Sequence, residues 1–208
     1  MNYYLSSYKL GNELEKLNQL VKKTSGNIGY IPNSLDYIGA DPQKRAESTQ
    51  NDILDLQSHG CNVEIVDLRN YFGKVDELKN KLQSLGGLYV RGGNTFVLRQ
   101  AMRLSGFDNL IGELQKREHF LYIAYSAGVC VLTPTLKPYA ITDDANNFPY
   151  PEITEQIWEG FGIIPFVFQP HFKSDHPESA STDKEIEYCI ENKLLFKAYH
   201  DGEVLIIE

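Results

Sequence analysis

Ser126 stands at the end of the most apolar segment of the chain and is followed at once by small residues. Residues 120–132 read FLYIAYSAGVCVL, which predicts a buried strand that leads directly into a turn. Residues 124–128 approach the G-x-S-x-G pattern, in which a serine on a sharp strand-to-helix turn is a nucleophile. Serine is also a preferred helix N-cap residue. The segment alone therefore leaves nucleophile and helix cap as alternatives.

A second turn of small residues follows the strand predicted at residues 88–90, in the segment RGGNTF. Gly92 and Gly93 leave backbone N–H groups free of side chains, as an oxyanion hole requires, although paired glycines also suit a tight turn with positive φ. Asn94 is expected to cap the next helix. Open α/β sheets bind ligands at the carboxyl ends of their strands, so two such turns on successive strands favour a catalytic site.

A serine nucleophile needs a base, and His171 is the best candidate among the five histidines. It follows Pro170 at the end of a strand predicted in GIIPFVFQPHF, so it can lie at the same sheet edge as Ser126. The weaker candidates are His176, in a loop, and His59 and His119, which we interpret as capping or surface residues.

A carboxylate should orient the base, and three aspartates are candidates. Asp143 and Asp144 lie in the long loop at residues 133–151, a length that is often functional. Asp201 precedes Gly202, a pair that also predicts a terminal hairpin over residues 196–208. Spacing does not choose among the three. A substrate with an acidic N-terminal residue would call for a cation, for which the candidates are Arg91, Arg99 and Arg103.

Short apolar runs alternate with longer segments of helical period, which predicts an α/β fold with a mostly parallel central sheet flanked by helices. One helix is expected from Pro42, capped by Asp41, to Gly60, and another over residues 182–192. Apolar stripes of helical period comprise Leu10, Leu14, Leu17, Leu20 and Val21, and then Leu78, Leu82 and Leu85. The other strands are expected at 3–6, 27–31, 63–66 and 119–124.

The composition limits the function classes. A chain of 208 residues without a linker or repeat predicts a single domain over residues 1–208. A net charge of -8 disfavours nucleic acid as a partner. With no signal peptide and no membrane-length apolar run, we expect a cytoplasmic protein with no membrane association. No P-loop, dinucleotide motif or metal-ligand spacing is present, so no cofactor and no metal are expected.

Three cysteines, far apart in the sequence, fit reduced and mostly buried thiols better than a disulfide framework. They are Cys61, Cys130 and Cys189, and none forms a Cys-x-x-Cys pair, which disfavours a structural zinc site.

The segments RGGNTF, YSAG and PHF together resemble the peptidase E (aspartyl dipeptidase) family of serine peptidases, related to cyanophycinase. The resemblance covers nearly the whole chain. It implies a class I glutamine amidotransferase-like (flavodoxin-like) three-layer sandwich. It further implies Ser126 as nucleophile, His171 as general base, the amides of Gly93 and Ala127 as oxyanion hole, and Asp201 as the orienting acid. The remaining candidates, for substrate binding or as alternative acid, are Asp144, Asp143, Asn94, Tyr125 and Arg91.

The chain also departs from that family's pattern. AYSAGV stands where GWSAGA is typical, and Arg91 replaces a third glycine before GGNT. The expected function is a dipeptidase-like serine peptidase for small peptides, acting as a monomer or homodimer, with a preference for N-terminal aspartate as the finer expectation. The alternatives are another amide or ester hydrolase, or a catalytically silent peptide or small-molecule binding protein. The joint presence of Ser, His and Gly-Gly argues against a silent protein.

Overall fold

The computed structural model describes all 208 residues and confirms an α/β fold around a mostly parallel sheet. The strands are β1 (Asn2–Ser6), β2 (Asn27–Ile31), β3 (Asn62–Ile65), β4 (Gly87–Val90), β5 (Leu121–Tyr125), β6 (Val167–Gln169), β7 (Phe196–Ala198) and β8 (Val204–Ile207). The α-helices are α1 (Leu14–Lys22), α2 (Pro42–Ser58), α3 (Val75–Gln83), α4 (Thr95–Ser105), α5 (Phe107–Leu114), α6 (Ala127–Cys130) and α7 (Ser179–Glu191). Short 3-10 turns occupy Asn33–Leu35, Leu68–Tyr71 and Lys137–Ile141.

The central sheet has the strand order β3-β2-β4-β5-β1-β8. Strands β1 to β5 pair in parallel, and only β8 runs antiparallel, beside β1. In the register Val90 is level with Ala124, and Ser6 is level with Tyr125. The turns after β4, β5 and β1 therefore meet at one edge of the sheet, which positions the residues of the candidate site.

Strand β5 is buried along its whole length because the sheet is covered on both faces. Tyr122 and Ala124 join the larger core cluster with residues of α3, α4 and α5, whereas Leu121, Ile123 and Tyr125 join the cluster that includes residues of α1 and α2. A parallel strand buried on both faces reads as a continuous apolar run, which explains the sequence that precedes Ser126.

The predicted helices and strands of the first 130 residues agree with the structure to within a few residues. Helix α2 begins at Pro42, and the Asp41 side chain accepts hydrogen bonds from the Gln43 and Lys44 amides, which confirms the predicted cap. Two leucines of the predicted stripes lie outside the helices, since Leu10 precedes α1 and Leu85 follows α3. Both are nevertheless buried in the core.

The predicted terminal hairpin is wrong. Strand β7 pairs with β6 in a separate two-stranded parallel sheet, whereas β8 pairs antiparallel with β1. The turn at Asp201 and Gly202 thus connects two sheets, and it brings Asp201 beside the end of β1. The strand predicted to reach His171 ends at Gln169, because Pro170 cannot donate to a ladder and His171 has a φ of 60°. Helix α7 begins at Ser179, three residues before the predicted start.

All three cysteines are free and buried, as their spacing predicted. None of the helices combines the length and apolar character that crossing a lipid bilayer requires.

Candidate active site

Ser126 lies on a strained turn between β5 and α6. Its φ of 46° and ψ of −119° fall where residues other than glycine rarely lie. Its side chain makes no capping hydrogen bond to α6, so the helix-cap alternative is wrong. Small neighbours allow this turn, since a Cβ at Gly128 would lie 2.1 Å from the Val90 carbonyl oxygen. The strain and the missing cap leave the hydroxyl available for another role.

The turn after β4 packs directly against the Ser126 turn. A Cβ at Gly92 would lie 2.6 Å from the Tyr125 ring and 3.0 Å from the Ser126 Cβ, so only glycine allows this approach. Gly93 has a φ of 140°, and its N–H donates no hydrogen bond within the protein. Asn94 caps α4 as predicted, because its Oδ1 accepts from the Val97 amide at 2.9 Å.

The Ala127 amide is the first of helix α6. The first N–H groups of a helix have no intrahelical partner. Together with the Gly93 amide, this gives the Ser126 turn two backbone donors that can receive an oxyanion.

His171 is held in a buried polar network. Its Nδ1 lies 2.7 Å from Asp201 Oδ1, and its amide donates to Ser7 Oγ at 2.8 Å. The Ser7 hydroxyl lies 2.9 Å from the same Asp201 oxygen, to which it donates. The carboxylate acceptor makes Nδ1 the protonated nitrogen and leaves the Nε2 lone pair free.

Burial holds the pKa of His171 below its ordinary value of 6.5. The adjacent His176 lowers this pKa further, and Asp201 acts in the opposite direction. His171 is therefore neutral near pH 7, which is the form that can accept a proton.

The other two candidate aspartates do not contact His171. Asp143 accepts a hydrogen bond from the Thr95 amide at the start of α4, at 2.8 Å, and burial raises the pKa of Asp143 to about 6. Asp144 is exposed, and its carboxylate accepts from the Asn146 amide at 2.9 Å. Of the three aspartates named from the sequence, Asp201 is the one that contacts the histidine.

A cleft of about 160 Å³ opens over Ser126 and His171. Arg91 lies in it, 7% exposed, and donates to the Tyr125 hydroxyl at 2.9 Å and to Ser48 Oγ at 3.1 Å. Arg91 and Tyr125, two positions at which the chain departs from the family's sequence pattern, thus contact each other. The cleft is lined by Tyr8, Lys9, Ser48, Arg91, Gly92, Gly93, Tyr125, Ser126, His171, His176 and Glu178.

Two of the three arginines named as candidate cations lie outside the cleft. Arg99 and Arg103 both bind Asp108, at 2.7 Å and 2.8 Å. Neither arginine lines the cleft, so neither is placed to bind a ligand there.

Sequence reasoning missed Glu178, which belongs to the cleft. Glu178 Oε2 lies 3.7 Å from His171 Nε2, and the His176 ring stacks on the His171 ring with centroids 3.7 Å apart. Burial, with Asp143 and Asp201 nearby, raises the pKa of Glu178 to about 7. The only signal was its position two residues after His176, in a segment without helical or strand period.

The fold is that of solved peptidases. Over its full length the chain superposes on 98% of a Listeria monocytogenes protein described as a peptidase E, with a TM-score of 0.72 at 21% identity. It also superposes on 83% of a peptidase from an acI-B1 actinobacterium, with a TM-score of 0.69 at 14% identity.

The chain belongs to peptidase family S51, whose family model matches residues 5–207. An uncharacterized peptidase of Listeria monocytogenes is 30% identical over 148 residues, which are 71% of this chain and 68% of that protein. A Drosophila melanogaster protein named probable alpha-aspartyl dipeptidase is 30% identical over 152 residues, 72% of this chain and 55% of that protein. Membership of this family makes the chain a peptidase.

Proposed function

We propose that the chain hydrolyses small peptides through an acyl-enzyme on Ser126. The observation that carries this proposal is the 2.7 Å contact between His171 Nδ1 and Asp201 Oδ1, since His171 lines the same cleft as the strained Ser126 turn. A nucleophile, a base and a group that orients the base are the three parts that acyl transfer needs.

In the proposed reaction, His171 Nε2 takes the Ser126 proton while Oγ attacks the scissile carbonyl carbon. The amides of Gly93 and Ala127 receive the resulting oxyanion, a contribution that is typically large because the donors are fixed before the reaction. The imidazolium then protonates the leaving amine. Water hydrolyses the acyl-enzyme by the same sequence of proton transfers, and Ser126 is restored.

We propose that the Asp201 carboxylate accepts a hydrogen bond from His171 Nδ1–H and stabilises the imidazolium. Ser7 orients both residues, because its hydroxyl accepts from the His171 amide and donates to Asp201. Asp143 and Asp144, the alternative acids, do not line the cleft, and we propose that they act on substrate binding indirectly, through the start of α4 that Asp143 holds. Asn94 supports the same segment, since its Nδ2 donates to the Asp144 carbonyl at 3.2 Å.

We further propose a dipeptidase-like preference for an N-terminal aspartate. Lys9 and Arg91 both line the cleft and are its candidate cations for an acidic side chain, and Arg91 Nη1 also lies 3.6 Å from Oδ2 of the buried Asp52. The Drosophila relative, named for alpha-aspartyl dipeptidase activity, is consistent with this preference. We also propose that residues 1–208 act as one domain, because β1 and β8 are neighbours in the sheet.

A fluorophosphonate probe tests the nucleophile. We expect it to label the wild-type chain and a Ser84→Ala control, in which an exposed serine is removed, but not Ser126→Ala. Labelling of Ser126→Ala equal to that of the control would overturn the proposed nucleophile. Failure to label the wild-type chain, under conditions that modify a known serine hydrolase, would favour a silent binding protein.

A dipeptide library measures the substrate preference. We expect Asp-X dipeptides to be cleaved faster than the matched Asn-X dipeptides, because the two differ mainly in charge. Equal rates for both series would remove the aspartyl preference and leave the peptidase assignment unchanged.

A further inference from the structure

Three metal-ligating side chains converge at the mouth of the cleft. His171, His176 and Glu178 each offer a ligand atom, and these atoms all lie within 4.8 Å of one another. We propose that this trio binds a divalent transition-metal ion, with Zn²⁺ as the best match, and that the bound ion switches the peptidase off. The inhibitory part of this proposal rests on the proposed function, whereas the binding part does not.

The distances are close to those that zinc requires. Zn–N and Zn–O bonds of about 2.0–2.2 Å in a tetrahedral site hold the ligand atoms roughly 3.3–3.6 Å apart. Glu178 Oε2 lies 3.7 Å from His171 Nε2 and 4.0 Å from His176 Nδ1. Contraction by a few tenths of an ångström would bring each of these pairs to a shared ion.

Binding requires one side chain to turn. The two imidazole rings stack with planes only 6° apart, and a metal must lie near the plane of each ring that binds it. His171 is fixed by Asp201 and Ser7, so His176 is the ring that turns. His176 lies between His171 and α7, flanked by the exposed residues Asp175 and Pro177, and turning its ring gives up the hydrogen bond that Nδ1 accepts from the Glu178 amide at 3.2 Å.

The surroundings of His171 suit a metal ligand. Histidines that bind metals usually donate their other ring N–H to a carboxylate, which fixes the tautomer and makes the free nitrogen more basic. Asp201 provides that carboxylate at 2.7 Å. The trio consists of one carboxylate and two neutral imidazoles, a donor set typical of zinc sites that keep a fourth position open.

We expect inhibition because the metal ion and the Ser126 proton would compete for the same lone pair, that of His171 Nε2. A metal bound to this lone pair prevents it from accepting the Ser126 proton, so acylation stops. Removing the ion restores the free base, since no covalent bond is made or broken.

Cobalt spectroscopy tests binding without any assay of hydrolysis. Co²⁺ titrated into the metal-free full chain should give the intense visible ligand-field bands of tetrahedral cobalt, and Zn²⁺ should displace it. We expect Glu178→Gln and His176→Ala to weaken binding by at least about tenfold, as loss of even an outer-shell partner commonly does. The matched controls Glu187→Gln and His119→Ala remove exposed residues elsewhere and should bind as wild type does.

Each outcome decides one part of the proposal. No tetrahedral cobalt spectrum, or equal binding by the trio variants and the controls, would overturn the site and leave the serine mechanism standing. Metal binding without slower fluorophosphonate labelling would overturn the inhibition alone. Slower labelling with Zn²⁺ that a chelator reverses, lost in Glu178→Gln but kept in Glu187→Gln, is the expected result. Thermal melting of each variant shows whether a change in binding reflects unfolding.

Discussion

Replacing Gly93 by alanine separates the proposed oxyanion hole from ordinary turn geometry. The residue has a φ of 140°, a conformation that L-residues rarely adopt, and a Cβ there would lie 2.7 Å from the Ser34 carbonyl oxygen. The Ser34 carbonyl is backbone and cannot rotate away as a side chain could, and its oxygen also accepts from the Asn94 amide at 3.0 Å. The Gly93→Ala variant must therefore shift the turn, and the Gly93 N–H moves with it.

The size of the effect follows from losing one donor to the oxyanion. Removing such a donor typically lowers kcat by about 10²–10³, or roughly 2.7–4 kcal/mol of transition-state stabilisation. The backbone strain should also lower the free energy of unfolding by about 1–3 kcal/mol. We expect KM to change much less, because the amide acts on charge that develops only in the transition state.

Gly60→Ala is the matched control. Gly60 has a φ of 82°, and a Cβ there meets no heavy atom within 4 Å, so this variant carries a left-handed alanine outside the cleft. Rates of fluorophosphonate labelling and of peptide hydrolysis are measured beside thermal melting for both variants. If Gly93→Ala keeps a rate within about threefold of wild type while melting as Gly60→Ala does, the Gly93 amide does not stabilise the transition state.

Three further predictions concern single side chains. Asp201→Asn should lower kcat by roughly 10³–10⁴ because His171 loses its orienting acceptor; a loss below tenfold would contradict the pairing. Burial raises the pKa of Glu185 from 4.5 to about 8, so the folded state loses stability as pH rises from about 4.5 to about 8. The free energy of unfolding of Glu185→Gln should therefore exceed that of wild type by about 2–5 kcal/mol at pH 9. An equal difference between the two proteins at every pH would refute this. Arg91→Gln should lower kcat/KM for Asp-X dipeptides by about tenfold or more relative to Asn-X, and an unchanged ratio would exclude Arg91 as the discriminating cation.

Much of the fold could be predicted from the sequence because its signals are local. The apolar run before Ser126, the glycines after β4 and the Asp41 cap each depend on residues within a few positions. Strands β1 to β5 therefore agree with the structure to within two residues. The terminal hairpin could not be rejected in this way, because the sequence of β8 does not record that its partner is β1.

Only part of the candidate site could be predicted from the sequence, because some of its contacts join residues far apart in the chain. Ser126 and His171 could be named from their strand ends, whereas Asp201 was chosen only through the family resemblance, because its position beside His171 depends on β8 pairing with β1. Glu178 was missed because its segment has no periodic pattern. Arg99 was misjudged because its partner, Asp108, lies nine residues away on the next helix.

The hydrogen bond between Ser7 and Asp201 joins residues 194 positions apart in the chain. Closing a loop of this length costs conformational entropy. The stabilising contacts that offset this cost form only once the intervening sheet is in place. The acid–base pair itself joins residues only 30 positions apart, but its support by Ser7 requires the turn before β8 to dock beside the end of β1. A chain in which this turn has not docked beside β1 therefore lacks the Ser7 contacts to both His171 and Asp201.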